Sequence, residues 1–462
     1  MNPQSTSICN KLKSAQFRRC FPFLTGVAAY LFLSSASAET ETYVVPPPPN
    51  ILEQRVQLIE PQGVMTLVDV LSLALLHNPL LQDFAWDIRI GDVRALRAGL
   101  LPNPELAVEV ENFLGSGQRK NFAQTETTLS LSQLFELGGK RSKRKALAES
   151  ERDLAVWDYE SRRLDVISKV AARYIDVLAN QARSKLAVET AAVAEEIYQT
   201  VAARVKAGKV SPLEQSKSRV ELAKELMRKA RVQRQLLISK QNMAALWGSM
   251  KPLFKTVSGD VYAVQQVPEF SKLLSLLNNN PDLARWSAEI ARYHKAISLA
   301  KAKKIPDITF MAGARHFAEN DDFAAVAGIS APLFIFDNKQ TGVAEAELIL
   351  TQAMQKQQAA NIAIHASLLE NYQQLQISEV ETRAFREAVL PSAEEAFKAA
   401  KVAYRLGEIG SLELLDAQRT LFQSQSQYLE AAATFQLNVA KIERLIGGAL
   451  NPSPEKKREL PQ

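Results

Sequence analysis

Apolar positions along this chain follow two different rhythms. Over most of its length they recur at the three- and four-residue spacing of a helix, and over four short stretches they alternate every second residue. The helical stretches are long. From residue 140 the pattern runs about 67 residues without Pro or Gly, which at 1.5 Å per residue is about 100 Å. It stops at Gly208 and restarts at Pro212, with Ser211 placed to cap the next helix. The pattern recurs at Gly407 and Gly410, 199 residues on, where Ser411 is the expected cap. A helix of that length does not fit a globular core and implies a coiled coil or helical tube.

The alternating stretches come in two pairs. In 106–114, Leu106, Val108 and Val110 face one way while Glu109 and Glu111 face the other. In 127–135, Leu129 and Leu131 oppose Ser130 and Ser132. The second pair is predicted over 308–316 and 323–336, around an acidic loop at Glu319–Asp322. Gly138-Gly139 and Asp337-Asn338 lead from each pair into a long helix, the second of which Pro391 should bend.

These elements form one series, used twice. Asn78-Pro79 returns as Asn280-Pro281 and Pro104 as Pro306, each 202 residues later, whereas the helical stops differ by 199. The second hairpin is therefore three residues shorter. The reading divides the chain into a leader over 1–38, an extended segment over 39–65, repeat one over 66–248 (hairpin 104–137), a crossover over 249–268, repeat two over 269–448 (hairpin 306–336) and a tail over 449–462. In each copy a helix of about 34 residues goes up, one of about 67 comes down and one of about 36 returns, so the two short helices match the long one in length.

The 462 residues carry 56 basic and 50 acidic side chains, a formal charge of +6. The first 38 residues hold Lys11, Lys13, Arg18 and Arg19 and no acid, so the rest is nearly balanced and implies no nucleic-acid partner. That leader has a basic start, an apolar run from Phe21 to Leu33 and Ala36-Ser37-Ala38, the parts of an export signal in order. The apolar run is too short to span a bilayer. Both cysteines, Cys9 and Cys20, lie inside the leader, which excludes thiol and disulfide chemistry for the mature chain. No later segment reads as a transmembrane helix.

Four strands with one apolar and one polar side have the length to cross a bilayer, but four cannot close. An open edge in lipid leaves backbone groups unpaired at several kcal/mol each. Several chains would then share one barrel of about 8, 12 or 16 strands, with a wet interior lined by Glu109, Glu111, Ser130 and Ser132. The competing readings are a sheet packed on its own helices, or a periplasmic coiled-coil scaffold without a pore.

The stretches LPNPELAVEVENFLGSG, ETTLSLSQLFELGGKR, AGKVSPLEQSKSRVELA, IPDITFMAGARHFAENDDFAAVAGISAPLFIFDNKQ and YRLGEIGSLELLDAQRTL resemble the TolC-like outer-membrane efflux proteins. Within that family they look most like the outer-membrane component of cobalt-zinc-cadmium efflux systems. The resemblance spans essentially the whole mature chain. It implies a mainly α fold with a membrane β-barrel: a homotrimer with a 12-stranded barrel in the outer membrane and a 12-helix tube across the periplasm. It implies a periplasmic adaptor and an inner-membrane, proton-driven pump of the resistance-nodulation-division type as partners. It implies no enzyme activity and no cofactor. The exported cargo would be divalent metal ions, with organic toxicants or secreted proteins as the alternative.

Three residues match the family's channel constriction: Tyr404, Glu413 and Asp416. The two carboxylates lie one helical turn apart, and in a threefold assembly each would form a ring attractive to cations. Where the family's best-known member has a gate arginine this chain has Ile409, so Arg405 or Arg419 are the nearby cations left for that role. The residues expected to meet the adaptor are Gly208, Lys209, Val210 and Ser211 on one tip and Gly407, Glu408, Ile409, Gly410 and Ser411 on the other. The four histidines are scattered, and His316 with Asp321 and Asp322 is the only grouping with metal-capable atoms. No nucleophile–base constellation is present.

Overall fold

The computed structural model describes residues 59–451, so the leader, most of the extended segment and most of the tail lie outside the described residues. Two short helices, α1 (Leu67–His77) and α2 (Pro79–Ala98), lead to the strands β2 (Glu105–Glu111) and β3 (Glu126–Phe135). The long helix α3 (Lys140–Lys206) and its return partner α4 (Pro212–Ala244) follow. The second series is α5 (Phe270–Leu276), α6 (Pro281–Ala302), β5 (Ile308–Phe317), β6 (Asp322–Ser330), α7 (Gln340–Ala384), α8 (Leu390–Leu406) and α9 (Ser411–Ile446).

The joint at each Asn-Pro explains why a helix breaks there. Asn78 and Asn280 hold extended backbone, their side chains cap the next helix, and proline follows at the first helical position. Each amide also ties the break to the far end of its repeat. Asn78 Nδ2 donates to the Leu246 carbonyl at 2.8 Å, and Asn280 Nδ2 donates to the Leu445 carbonyl at 2.7 Å. Around the second joint, Leu273 and Leu277 pack with Leu368 and Leu375 of α7 and with Phe435 and Ile442 of α9. Each such side chain contributes roughly 1.5–3 kcal/mol on burial.

Two elements were not legible beforehand. The segment read as extended and the segment read as an irregular crossover hold β1 (Gly63–Met65) and β4 (Phe254–Val257), which pair in parallel. The buried Tyr174 hydroxyl of α3 reaches the carbonyls of Met65 and Ser258, binding this small sheet to the helix. Pro391 does not simply bend the second long helix. It sits just after a five-residue π turn, Phe385–Val389, which absorbs the hydrogen bond that proline cannot donate.

The main sheet has the order β2-β3-β5-β6, antiparallel throughout, so β3 of one repeat pairs with β5 of the other. β2 and β6 are left as edges. Both stop short of their predicted ends. β2 closes at Asn112, whose φ of 60° turns the chain out of the ladder. β6 closes at Ser330, because Pro332 lacks an N–H and no strand lies beside that edge. Among the described residues no helix covers the apolar side of the sheet, where Leu106 is 69% and Phe323 73% exposed. A sheet packed on its own helices is thereby excluded. No described helix is long and apolar enough to cross a membrane.

Replacing Asn280, which is fully buried, by Ala removes a cap and leaves the Leu445 carbonyl without its partner. We expect a loss of about 2–3 kcal/mol in stability, read by thermal unfolding of the purified protein. An unfolding temperature equal to wild type would refute this role for the joint.

Candidate functional site

Both helix tips are closed by the same backbone device. Gly208 (φ 66°) and Gly407 (φ 85°) adopt left-handed conformations that an L side chain resists. The N–H of the next residue then returns to a carbonyl of the last turn: Lys209 to Arg204 and Glu408 to Ala403, both at 2.9 Å. The following helices start differently. Ser211 caps α4, its Oγ accepting from Leu213 N–H at 3.2 Å. At the second tip the cap is Gly410, and Ser411 is the first helical residue, buried and making no cap bond. The expected Ser411 cap is thus corrected. A shift of 199 carries Ser211 onto Gly410 and Pro212 onto Ser411.

Tyr404 is 1% exposed and packs against Ile197, Val201, Leu414 and Leu415, with Ile409 leaning on the cluster. The Arg204 guanidinium lies 4.5 Å from its ring centroid, and Arg204 Nη2 donates to the Arg405 carbonyl at 3.1 Å. Glu196 of α3 accepts from Lys401 at 2.8 Å and from Arg405 at 3.4 Å. The ends of the two long helices are therefore clamped together by Arg204 and Glu196, neither of which sequence reasoning singled out. The signal was present in the repeat alignment, since Arg204 stands where the second copy has Ala403.

Glu413 and Asp416 lie on one exposed face, apart from Tyr404. Glu413 sits in the first turn of α9, where the helix dipole favours an anion, with its carboxylate folded over Gly410. Asp416 has Arg419 at 3.9 Å, and Arg419 reaches Glu221 of α4 at 3.4 Å. Arg405 is occupied by Glu196 and Arg419 by these carboxylates. Of the tip residues, Gly208, Lys209, Ser211, Gly407, Glu408 and Gly410 are exposed, Val210 and Ile409 are half-buried, and Ser411 is buried.

At the other pole the register sorts the sheet into two faces. Leu106, Val108, Val110, Leu129, Leu131, Phe310, Phe323 and Ile329 share one, and Glu105, Glu109, Glu111, Glu126, Thr128, Ser130, Arg315 and Asp322 share the other. Arg315 bridges the two repeats, donating to Glu126 at 2.8 Å and Thr128 at 2.9 Å and pairing with Glu111 at 3.1 Å. Glu105 and Glu109 make no ion pair among the described residues. The polar face thus carries five carboxylates against one guanidinium. On the outer loop, His316 bonds Asp321 at 2.8 Å and its ring lies against Phe323, while Asp322 is held by Asn320. No group of three metal-ligating side chains converges among the described residues.

The family model "Outer membrane efflux protein" matches residues 70–249 and 273–448. The cobalt-zinc-cadmium resistance protein CzcC of Cupriavidus metallidurans is 33% identical over 429 residues, covering 92% of this chain and 99% of CzcC. The nickel and cobalt resistance protein CnrC of the same organism is 26% identical over 326 residues, covering 70% and 71%. Among solved structures, CusC superposes with a TM-score of 0.72 at 18% identity, covering 85% of this chain and 96% of that one. Two matched stretches, near-complete coverage of CzcC and a shared fold place this chain in the outer membrane efflux protein family.

Proposed function

We propose that this protein is the outer-membrane exit duct of a tripartite pump for divalent heavy-metal cations. It would work as a homotrimer, with a periplasmic adaptor at the helix tips and a proton-driven inner-membrane pump supplying the energy. The observation that carries this reading is the sheet: one face bare and apolar, the other polar and acidic, mounted on helices about 100 Å long. A face of that kind is suited to lipid, and the opposite one to a wet cation path. Four strands per chain with two free edges close as a barrel when copies join, and three copies give twelve strands. Metal cargo is supported by the resistance relatives. Deleting the gene should sensitise cells to zinc, cobalt or cadmium, with tolerance restored by the wild-type chain. Unchanged metal tolerance with lost tolerance of organic toxicants would replace metal by the alternative cargo.

Glu413 and Asp416, exposed near the tip, would form two acidic rings in the trimer. Their counterparts in the first copy are Glu214 and Lys217, so Asp416 is a charge that only the second copy supplies. Tyr404 acts here as a buried anchor for the tip. The exposed Lys209, Ser211, Glu408 and Gly410 are the surface offered to the adaptor. We expect Glu413→Ala with Asp416→Ala to raise single-channel conductance or weaken block by divalent cations in planar bilayers. No change in either removes these residues from the constriction.

The barrel adds a second expectation. Arg315→Gln removes the only guanidinium that the described residues place on the polar face and frees Glu111 and Glu126. Reversal potentials across a potassium chloride gradient should then shift towards stronger cation preference, whereas Glu105→Gln with Glu109→Gln should shift them the other way. Identical potentials in all three proteins would show that this face does not govern permeation.

A further inference from the structure

The two repeats meet inside one chain along a fully described seam. This seam supplies a template for the contact between copies, resting on the trimeric reading above. Within the chain, Phe135 of β3 lies opposite Ile308 of β5 and Gln133 opposite Phe310. Below this pairing Lys140 Nζ meets Asp307 Oδ1 at 2.7 Å, and the same oxygen accepts from Leu137 N–H at 3.0 Å. Gly138 presses so closely on Ile305 that a Cβ there would come within 2.7 Å of Ile305 Cδ1.

The free edges carry the counterparts of every group in this seam. β5 maps onto β2 by 202 residues, as Pro306 onto Pro104. β3 maps onto β6 by 200, since Leu129 faces Val108 in one hairpin and Ile329 faces Phe310 in the other. At the helix starts the shift is 199, as for the tips. Asp307 and Lys140 therefore become Glu105 and Lys339, a carboxylate and an ammonium again. Ile305 and Gly138 become Asn103 and Asp337, so the large residue has become smaller where the glycine has gained a side chain. Each half of this seam is unfilled within one chain. The segment 331–336 continues the β6 edge with Leu333 81% and Phe336 fully exposed. At the foot of β2 a groove of about 680 Å³ opens beside the exposed Leu100 and Leu101, with Pro102 and Asn103 in its wall.

We propose that residues 331–336 of one copy extend β6 along β2 of the next, Leu333 opposite Val108 and Ile335 opposite Leu106. In this arrangement Lys339 pairs with Glu105 of the next copy. The pairing buries the exposed apolar segment in the groove, gives the β2 edge and residues 331–336 their backbone partners and reproduces the ion pair already seen inside the chain. In the single chain Lys339 instead bonds its own neighbour Asp337, at 2.6 Å.

The mature sequence read above has no cysteine, so introduced pairs report cleanly. Opposed residues of antiparallel strands bring their Cβ atoms to about 4.5–5.5 Å, close enough for a disulfide with slight adjustment. Leu333→Cys with Val108→Cys, oxidised in outer-membrane preparations, should yield a covalently closed trimer. Leu333→Cys with Ala107→Cys should not, because Ala107 points to the opposite face. Lys339→Glu should deplete trimer in mild dodecyl sulfate, and adding Glu105→Lys should restore it. A native trimer that cross-links through Ala107, or that the charge reversals neither weaken nor rescue, overturns this seam while leaving the trimer standing. A monomeric wild-type protein by native mass spectrometry overturns both.

Discussion

Backbone amides and carbonyls at the free edges of a sheet cannot lie unpaired in hydrocarbon, because each such group costs several kcal/mol there. Most of this structure depends on that constraint. The sheet has an apolar face that no element among the described residues covers, so lipid is its natural surroundings, yet β2 and β6 are both open. On the proposed reading the chain is accordingly incomplete as a unit. It carries two hairpins that pair with each other at β3 and β5 and leaves the same kind of edge at each flank. The long helices continue the strands away from the membrane, and the Asn-Pro joints tie the short helices end to end beside them.

Duplication solves the same physical problem twice while letting the copies diverge where the solution leaves room. The backbone devices are shared: asparagine caps at Asn78 and Asn280, and left-handed glycines at Gly208 and Gly407. The side chains around them are not. Val205 of the first tip is replaced by Tyr404, and Arg204 by Ala403, and the arginine of one copy lies over the tyrosine of the other. The divergence is what joins the tips, since two identical ends would offer no such complementary pair.

Much of this was legible in the sequence because its signals are local. The 67-residue helix α3 runs between two glycine breaks, and the hairpins announce themselves by alternation. What was missed depends on tertiary partners. The strand β1 has only three residues and owes its existence to β4, nearly two hundred positions away. Ser411 has the right side chain for a cap, but Gly410 already holds the extended backbone that the cap position needs. Arg204 and Glu196 look like ordinary residues of a solvated helix face until α8 is laid beside them. The carboxylates of β2 and β3 were visible as a polar stripe, whereas their meeting at Arg315 across the repeat seam was not.

On the proposed reading, a duct for cations must draw them in without retaining them, since tight binding at any one point would slow exit. The arrangement of charge fits that requirement. Among the described residues no three ligands converge, while the carboxylates of the polar face are distributed along the strands from Glu105 to Glu126. Spread in this way, they would act through the field they create rather than through coordination, and a low-dielectric wall would strengthen such a field in the proposed lumen. Arg315 sits where two of them, Glu111 and Glu126, come closest together. Without it, that pair would be two carboxylates opposed across neighbouring strands. By engaging both, the guanidinium leaves no free pair of carboxylates at that point of the sheet to hold a cation.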